Sequence, residues 1–276
     1  MPKTILITGA TDGIGLETAK LLVAQGHTIL LHGRNAAKLE TIETQLSALS
    51  GAGHVESYRA DLSRLADVES LAQSVAASHT TLDVLINNAG VLKTTDTVTA
   101  DGLDVRFMVN AIAPYQLSQR LLPLFSTSGR IVNVASAAQA PVSLDALMGR
   151  VQLTDDMAAY AQSKLALIMW SRHLASLWQD NGPMVVAVNP GSLLGSKMVK
   201  EGFGIAGKDL QIGANVLIRA AIADEFATAS GQYFDNDSGR FAAPHADALN
   251  AQKVQTVSDA IAAIVDLLTS PAKTDG

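Results

Sequence analysis

The 276-residue sequence contains no cysteine. Disulfide scaffolds, thiolate nucleophiles and cysteine-ligated zinc are excluded together. Aromatic residues amount to only 4%, too few for a surface built to stack nucleic-acid bases. Positive charge is also short: 20 Lys and Arg against 26 Asp and Glu leave a net −6. A protein that holds DNA, RNA or an anionic membrane surface needs the opposite sign. No apolar stretch approaches the ~20 residues that span a bilayer. The run Thr4–Ile7 after Met1-Pro2-Lys3 is too short for the apolar part of a signal peptide. A cytoplasmic protein without nucleic-acid or membrane partners is expected. The six histidines are scattered without metal-ligand spacing, so no metal is expected either.

Hydrophobic residues, by contrast, make up 48% of the chain, enough for a substantial core. Short apolar runs alternate with longer helical patterns. The strand candidates are Thr4–Thr8, Thr28–His32, Val55–Tyr58, Val84–Asn87, Arg130–Val134, Met184–Val188 and Gln232–Phe234. They are continuously apolar, as strands buried on both faces are. Between them Gly13–Gln25, Ala36–Leu49, Leu65–Ser78, Leu103–Phe125, Ala158–Asp180 and Leu210–Asp224 carry apolar residues three and four apart. Parallel strands need helical crossovers, so the pattern predicts an α/β, doubly wound parallel sheet of about seven strands with helices on both faces. One domain over residues 1–276 is the economical reading. Three stretches break the rhythm: 137–157, 193–209 and 235–249. Loops of this length are more often binding elements than accidents.

The first strand runs into Thr8-Gly9-Ala10-Thr11-Asp12-Gly13-Ile14-Gly15, and a helix follows. Glycines there allow a tight turn and close approach to a diphosphate, toward which the helix N-terminus points its free N–H groups. A plain tight turn would use the same residues; the strand before and the helix after favour the dinucleotide reading. The second strand ends in His32-Gly33-Arg34-Asn35, with no acid until Glu40. A carboxylate at this place would hold a ribose 2′-hydroxyl, whereas Arg34 offers a fork for a 2′-phosphate. NADP(H) is therefore expected over NAD(H), unless Arg34 is an ordinary surface charge.

Near the centre stands Tyr160-Ala161-Gln162-Ser163-Lys164. Residues four apart share a helix face, and an ammonium beside a phenol lowers its pKa from ~10 toward a useful acid–base range. Alone, that spacing is common among surface residues.

In combination the residues resemble the short-chain dehydrogenase/reductase family. Gly9, Gly13 and Gly15, then Asp61, Asn87-Asn88-Ala89-Gly90, Asn110, Ser136, Tyr160, Lys164 and Pro190-Gly191 stand in the family's order. The stretch Thr99-Ala100-Asp101-Gly102-Leu103 leading to Val109-Asn110 resembles its retinol-dehydrogenase-like carbonyl reductases. The resemblance implies a Rossmann fold and hydride transfer between a nicotinamide and a ketone, aldehyde or secondary alcohol. It implies a tetrad of Asn110, Ser136, Tyr160 and Lys164. Tyr160 would exchange the proton, Lys164 lower its pKa and bond the ribose, Ser136 hold the substrate oxygen, and Asn110 position a water leading to solvent. Singly, Ser136 would suit a cap or turn and Asn110 a structural amide.

The implied cofactor contacts are Gly9, Thr11, Asp12, Gly13, Ile14, Arg34, Asp61, Leu62, Asn88, Ala89, Gly90, Tyr160, Lys164, Pro190, Gly191, Ser192, Leu193 and Ser196. Asp61 would accept from the adenine amine or merely cap the next helix. Ser196 would replace a threonine many relatives carry after Pro-Gly. Asn87 reads as a strand-locking amide.

Loops 137–157 and 193–209 should wall the substrate pocket. Ala140, Pro141, Val142, Leu144, Leu147, Met148 and Met157 suggest an apolar substrate of fair size, or else pack on one another. Rival readings are a sensor or scaffold that binds NADP(H) without chemistry, and a nucleotide-sugar epimerase or dehydratase, for which too few residues follow Pro190. Relatives often pair through the tyrosine helix, so a homodimer or homotetramer is expected. Leu165, Leu167, Ile168, Met169, Trp170 and Trp178 would supply apolar surface, unless they face the chain's own sheet.

Overall fold

The computed structural model describes residues 1–49, 51 and 53–270; residues 50, 52 and 271–276 lie outside the described part of the domain read from the sequence. Strands β1 (Thr4–Ile7), β2 (Thr28–Gly33), β3 (Val55–Arg59), β4 (Val84–Asn87), β5 (Arg130–Val134), β6 (Met184–Asn189), β7 (Tyr233–Asp235) and β8 (Arg240–Ala242) form one sheet in the order β3-β2-β1-β4-β5-β6-β7-β8. All neighbours are parallel except β7 and β8. The order reverses between β1 and β4, and open sheets of this type bind ligands beyond the strand ends at that switch point.

Alternation along each buried strand divides the core in two. Leu6, Leu30, Leu85 and Ile131 face α3 (Leu65–Ser78), α5 (Ala113–Leu121), α7 (Asp156–Trp178) and α10 (Ala251–Thr269). Ile5, Ile7, Ile29, Ile86 and Val132 face α1 (Gly13–Val23), α2 (Ala36–Ser47) and α9 (Leu210–Ile222). Side chains at successive strand positions point to opposite faces, so a continuous apolar run serves both layers.

The helices start where capping chemistry permits. Asp12 accepts from Gly13 N at 2.8 Å at the head of α1, and Asn35 from Lys38 N at 2.9 Å at the head of α2. Asp155 accepts from Met157 N at 2.8 Å and Ala158 N at 3.0 Å, with Asp156 the first residue of α7. These acceptors satisfy orphan donors of the first turn, and the acids suit the positive helix end.

Several elements differ from the sequence-based reading. The sheet has an eighth strand, because the chain after β7 turns back to pair antiparallel with it. The expected helix 103–125 is a rod of three pieces: α4 (Val105–Phe107), a π-helical segment Met108–Ile112, and α5, followed by a 3-10 turn Leu122–Leu124. Loop 137–157 contains α6 (Leu144–Leu147) and loop 193–209 contains α8 (Lys197–Phe203). Leu165, Leu167, Ile168, Met169 and Trp170 are buried inside the chain, and α10 packs along α7. Of the residues expected to supply a pairing face, those five are consumed internally. Among the described residues no helix is long and apolar enough to cross a membrane.

Candidate active site

The glycine turn after β1 is tied to β2 by a histidine. His32 Nδ1 accepts from Gly9 N at 3.2 Å, and its Nε2 lies 3.1 Å from the Ala60 carbonyl, so the neutral ring with the proton on Nε2 fits both partners. Burial pushes its pKa down to about 4, which holds that neutral form. Asn88 holds the other side of the turn, donating from Nδ2 to Thr8 O at 2.9 Å and to Gly9 O at 3.1 Å. Gly15 lies so close to this amide that a Cβ would sit 2.4 Å from Asn88 Nδ2.

Three elements bring the expected tetrad together: the π-helical segment, the end of β5 and α7. Asn110 lies in the π-helical segment, a distortion frequent at functional sites. Its Nδ2 donates to Val91 O and to Ser163 Oγ, both at 2.9 Å, while Oδ1 accepts from Val91 N at 2.8 Å. Ser163 passes the contact on, donating to the Tyr160 carbonyl at 2.7 Å. Lys164 Nζ stands 5.7 Å from the centre of the Tyr160 ring and donates to the Val134 carbonyl at 2.6 Å. Ser136, just beyond β5, accepts from Ala138 N at 3.1 Å.

The electrostatics depart from the expectation that lysine dominates the phenol. Burial pushes the Tyr160 pKa up, and the side-chain contact with Ser136 works against it. Lys164, 3% exposed, is itself pushed down to about 8 by burial. Desolvation disfavours the charged form of each. At neutral pH the arrangement holds a protonated phenol beside an ammonium.

One cavity of about 310 Å³ is lined by Ser136, Tyr160 and Lys164, with Asn110 behind its lining. Asp12, Gly13 and Ile14 line one end, Asn88–Gly90 the floor, and Ser136, Tyr160 and Lys164 the centre. Pro190 to Leu194, with Ser196, close the far side. A Cβ on Gly90 would fill this cradle, lying 3.3 Å from Asn110 Oδ1 and 3.5 Å from Lys164 Nζ. A helix N-terminus and an acid–base pair lining one cavity fit an elongated dinucleotide.

A family model described as short chain dehydrogenase matches residues 3–204. The chain belongs to that family. It is an NAD(P)-dependent oxidoreductase of the short-chain dehydrogenase/reductase type. Human retinol dehydrogenase 13 is 30% identical over 263 residues, spanning 89% of this chain and 80% of its own. Human polyprenol dehydrogenase is 31% identical over 255 residues, 85% of this chain and 77% of its own. Among solved structures, a Mycobacterium paratuberculosis protein superposes with a TM-score of 0.78 at 28% identity, covering 97% of this chain and 93% of its own. An NADP active-site complex of Pseudomonas aeruginosa RhlG gives 0.65 at 25% identity, covering 84% and 94%.

Not every expected cofactor residue lines this cavity. Gly9 packs against Ala89, and Thr11 against Gly33. Asp61 Oδ1 accepts from Ser63 N and Ser63 Oγ at 3.0 and 2.8 Å, the local turn before α3, and Leu62 is buried in the core. Ser192 lines the cavity, but its hydroxyl and N–H are both taken by Asp237 at 2.5 and 2.9 Å. Leu193 adopts φ +58°, uncommon for a side chain with a Cβ, where the 193–209 segment departs. The 137–157 loop is divided. Ala137, Ala138 and Met157 face the cavity, whereas Pro141, Val142 and Leu144 line a separate hollow against α10, and Leu147 is buried. Of the seven apolar residues expected to wall the pocket, Met157 alone lines it, and the run mainly thickens the domain edge.

The sequence reading missed His32, Ser163 and the buried Arg106. Arg106 is 0% exposed and paired with Asp104 and Asp156. It joins the base of the π-helical segment to the first turn of the tyrosine helix. In sequence its local trace is Asp104 two residues before it, since Asp156 lies 50 positions away.

Proposed function

We propose that this oxidoreductase prefers NADP(H) and interconverts an apolar ketone or aldehyde with its alcohol, Tyr160 exchanging the proton. The observation that carries the reading is the single cavity that runs from the head of α1 to Tyr160 and Lys164. When bound there, a nicotinamide supplies or accepts the hydride. Tyr160 donates its phenolic proton to the carbonyl oxygen as that oxygen gains charge, and recovers it from the alcohol in reverse. Its raised pKa keeps the proton available at neutral pH. Ser136 holds the same oxygen by a hydrogen bond. The Lys164 ammonium offsets charge left on the phenolate, and the amide of Asn110 keeps the π-helical segment against α7.

Preference for the phosphorylated dinucleotide rests on Arg34 at the end of β2. Arg59 Nε donates to the Arg34 carbonyl at 3.2 Å, which brings a second guanidinium to the same edge. In sequence no acid follows β2 before Glu40 to accept from a 2′-hydroxyl, and planar guanidinium forks match phosphate oxygens. The apolar character of the substrate rests on Leu92, Met157, Leu193, Met198 and Val199 in the cavity lining.

The test is a panel of apolar ketones and aldehydes with NADPH and NADH, followed by nicotinamide absorbance. Turnover faster with NADPH is expected. Silence across the panel with tight NADPH binding would contradict the enzymatic reading, and a preference for NADH would contradict the phosphate assignment.

A further inference from the structure

The hairpin of β7 and β8 lies beyond the segment matched by the family model, which ends at residue 204. It contributes no lining to the cavity, yet its side chains reach both flanks of the site. Tyr233, 4% exposed on β7, donates its hydroxyl to the Ser136 carbonyl at 3.2 Å. Gln139 Nε2 donates to the same carbonyl at 3.1 Å, and Gln139 Oε1 accepts from His245 N at 2.7 Å. The backbone of Ser136 is thus held from two directions while its hydroxyl stays beside Tyr160.

The turn of the hairpin grips the opposite flank. Asn236 Nδ2 donates to the Pro190 carbonyl at 3.0 Å, and Asp237 accepts from Ser192 N at 2.9 Å and Ser192 Oγ at 2.5 Å. Asn189 Nδ2 donates to Asp235 Oδ1 at 2.8 Å and to Asp237 Oδ2 at 2.9 Å. Asp237 is itself set by its N–H bond to Asp235 Oδ1 at 3.2 Å. Bonds to an ionised carboxylate are the strong class of hydrogen bond, and three of them converge on Asp237. Without them the Ser192 end of this loop would lose its side-chain anchor, immediately before Leu193 in its left-handed conformation, and only the Asn236 bond to Pro190 would tie the hairpin turn to it.

We propose that the β7–β8 hairpin is the positioning element of the active site, Tyr233 fixing Ser136 and Asp237 fixing the Pro190–Ser192 wall. The inference rests on the reading of the cavity given under Proposed function. Neither residue touches reacting atoms; each acts through a group that lines the cavity. Misplacing such a group by about 1 Å costs up to about a hundredfold in rate, while a carbonyl that keeps one of two donors loses little in folding. The hairpin therefore governs rate and dinucleotide affinity more than stability.

Three variants test this in the full chain. Tyr233→Phe removes only a hydroxyl and should lower kcat about tenfold, with NADPH affinity within about twofold of wild type. Asp237→Ala should weaken NADPH by about five- to tenfold in a fluorescence titration, a readout independent of turnover. Ser192→Ala should weaken it less, and Ser192→Ala/Asp237→Ala should match Asp237→Ala alone, since the two side chains act through one contact. Thermal melts accompany each variant. Wild-type kcat in Tyr233→Phe, wild-type NADPH affinity in Asp237→Ala, or losses that merely follow the folded fraction would overturn the proposal. If the wild-type chain reduces nothing on the panel, the enzymatic reading fails and the Ser136 half fails with it. The loop half is then decided by the titration alone.

Discussion

Asn110 and Ser163 meet at 2.9 Å, amide to hydroxyl, and so join the π-helical segment to the helix that carries Tyr160. The same Asn110 amide satisfies both backbone groups of Val91. Replacing it by leucine leaves a half-buried N–H and C=O unpaired, at up to about 1–3 kcal/mol each. Asn110→Leu is expected to lower the urea midpoint clearly and to reduce turnover. Ser163→Ala, which leaves the Val91 pairing intact, should cost less on both measures. Equal midpoints for wild type and Asn110→Leu would contradict this account.

His32 predicts a pH dependence of stability. Its pKa is depressed in the fold, from 6.5 to about 4. Between those values the unfolded chain binds the extra proton, so stability is full above pH 6.5 and falls as pH drops toward 4. The span corresponds to about 3 kcal/mol. His32→Leu should be less stable at pH 7, because Gly9 N loses its acceptor, and should lack this contribution to the acid slope. Urea midpoints of both proteins from pH 4 to 8 measure the difference.

Lys164 works at the other end of the scale. Its pKa is lowered from 10.5 to about 8 by burial. The unfolded chain again binds the extra proton between the two values, so stability should rise with pH from about 8 to 10.5. Lys164→Met should flatten that rise. In the reductive direction, kcat/KM should decline above about pH 8 as the ammonium deprotonates. A flat profile from pH 7 to 10 would exclude a protonated Lys164 from the free enzyme's active form.

Arg34→Glu should weaken NADPH about ten- to a hundredfold, the worth of one or two charge-assisted hydrogen bonds, and leave NADH nearly unchanged. Titration of both dinucleotides decides it. Equal loss for the two would show that Arg34 reads no phosphate.

Arg106→Met removes a guanidinium held by Asp104 and Asp156. Breaking a buried pair strands the remaining charge and costs about 3–5 kcal/mol. The variant should unfold at markedly lower urea, and any folded fraction should turn over more slowly, since the first turn of the tyrosine helix is released.

Much of the fold was legible in the sequence because strands buried on both faces leave unbroken apolar runs, as Ile5–Ile7 and Met184–Val188 do. The three-residue edge strand Arg240–Ala242 leaves no such run, and the π-helical turn around Asn110 hides within an ordinary helical pattern. Tyr160 and Lys164 were legible because four residues on a helix fix a shared face. The contacts that tune the site were not, because they join distant residues: His32 lies 23 positions from Gly9, Asp237 45 from Ser192, and Tyr233 97 from Ser136. The direction of the phenol's pKa is not legible in the sequence for a related reason. Spacing shows that an ammonium is near, but only packing shows how much water both groups have lost.

The most direct test of the central claim is Tyr160→Phe, assayed at saturating NADPH with a ketone the wild-type chain reduces, alongside an NADPH titration. Turnover should fall by at least about a hundredfold, the usual worth of a positioned proton donor, with affinity for NADPH little changed. Retained turnover would show that the proton comes from another group.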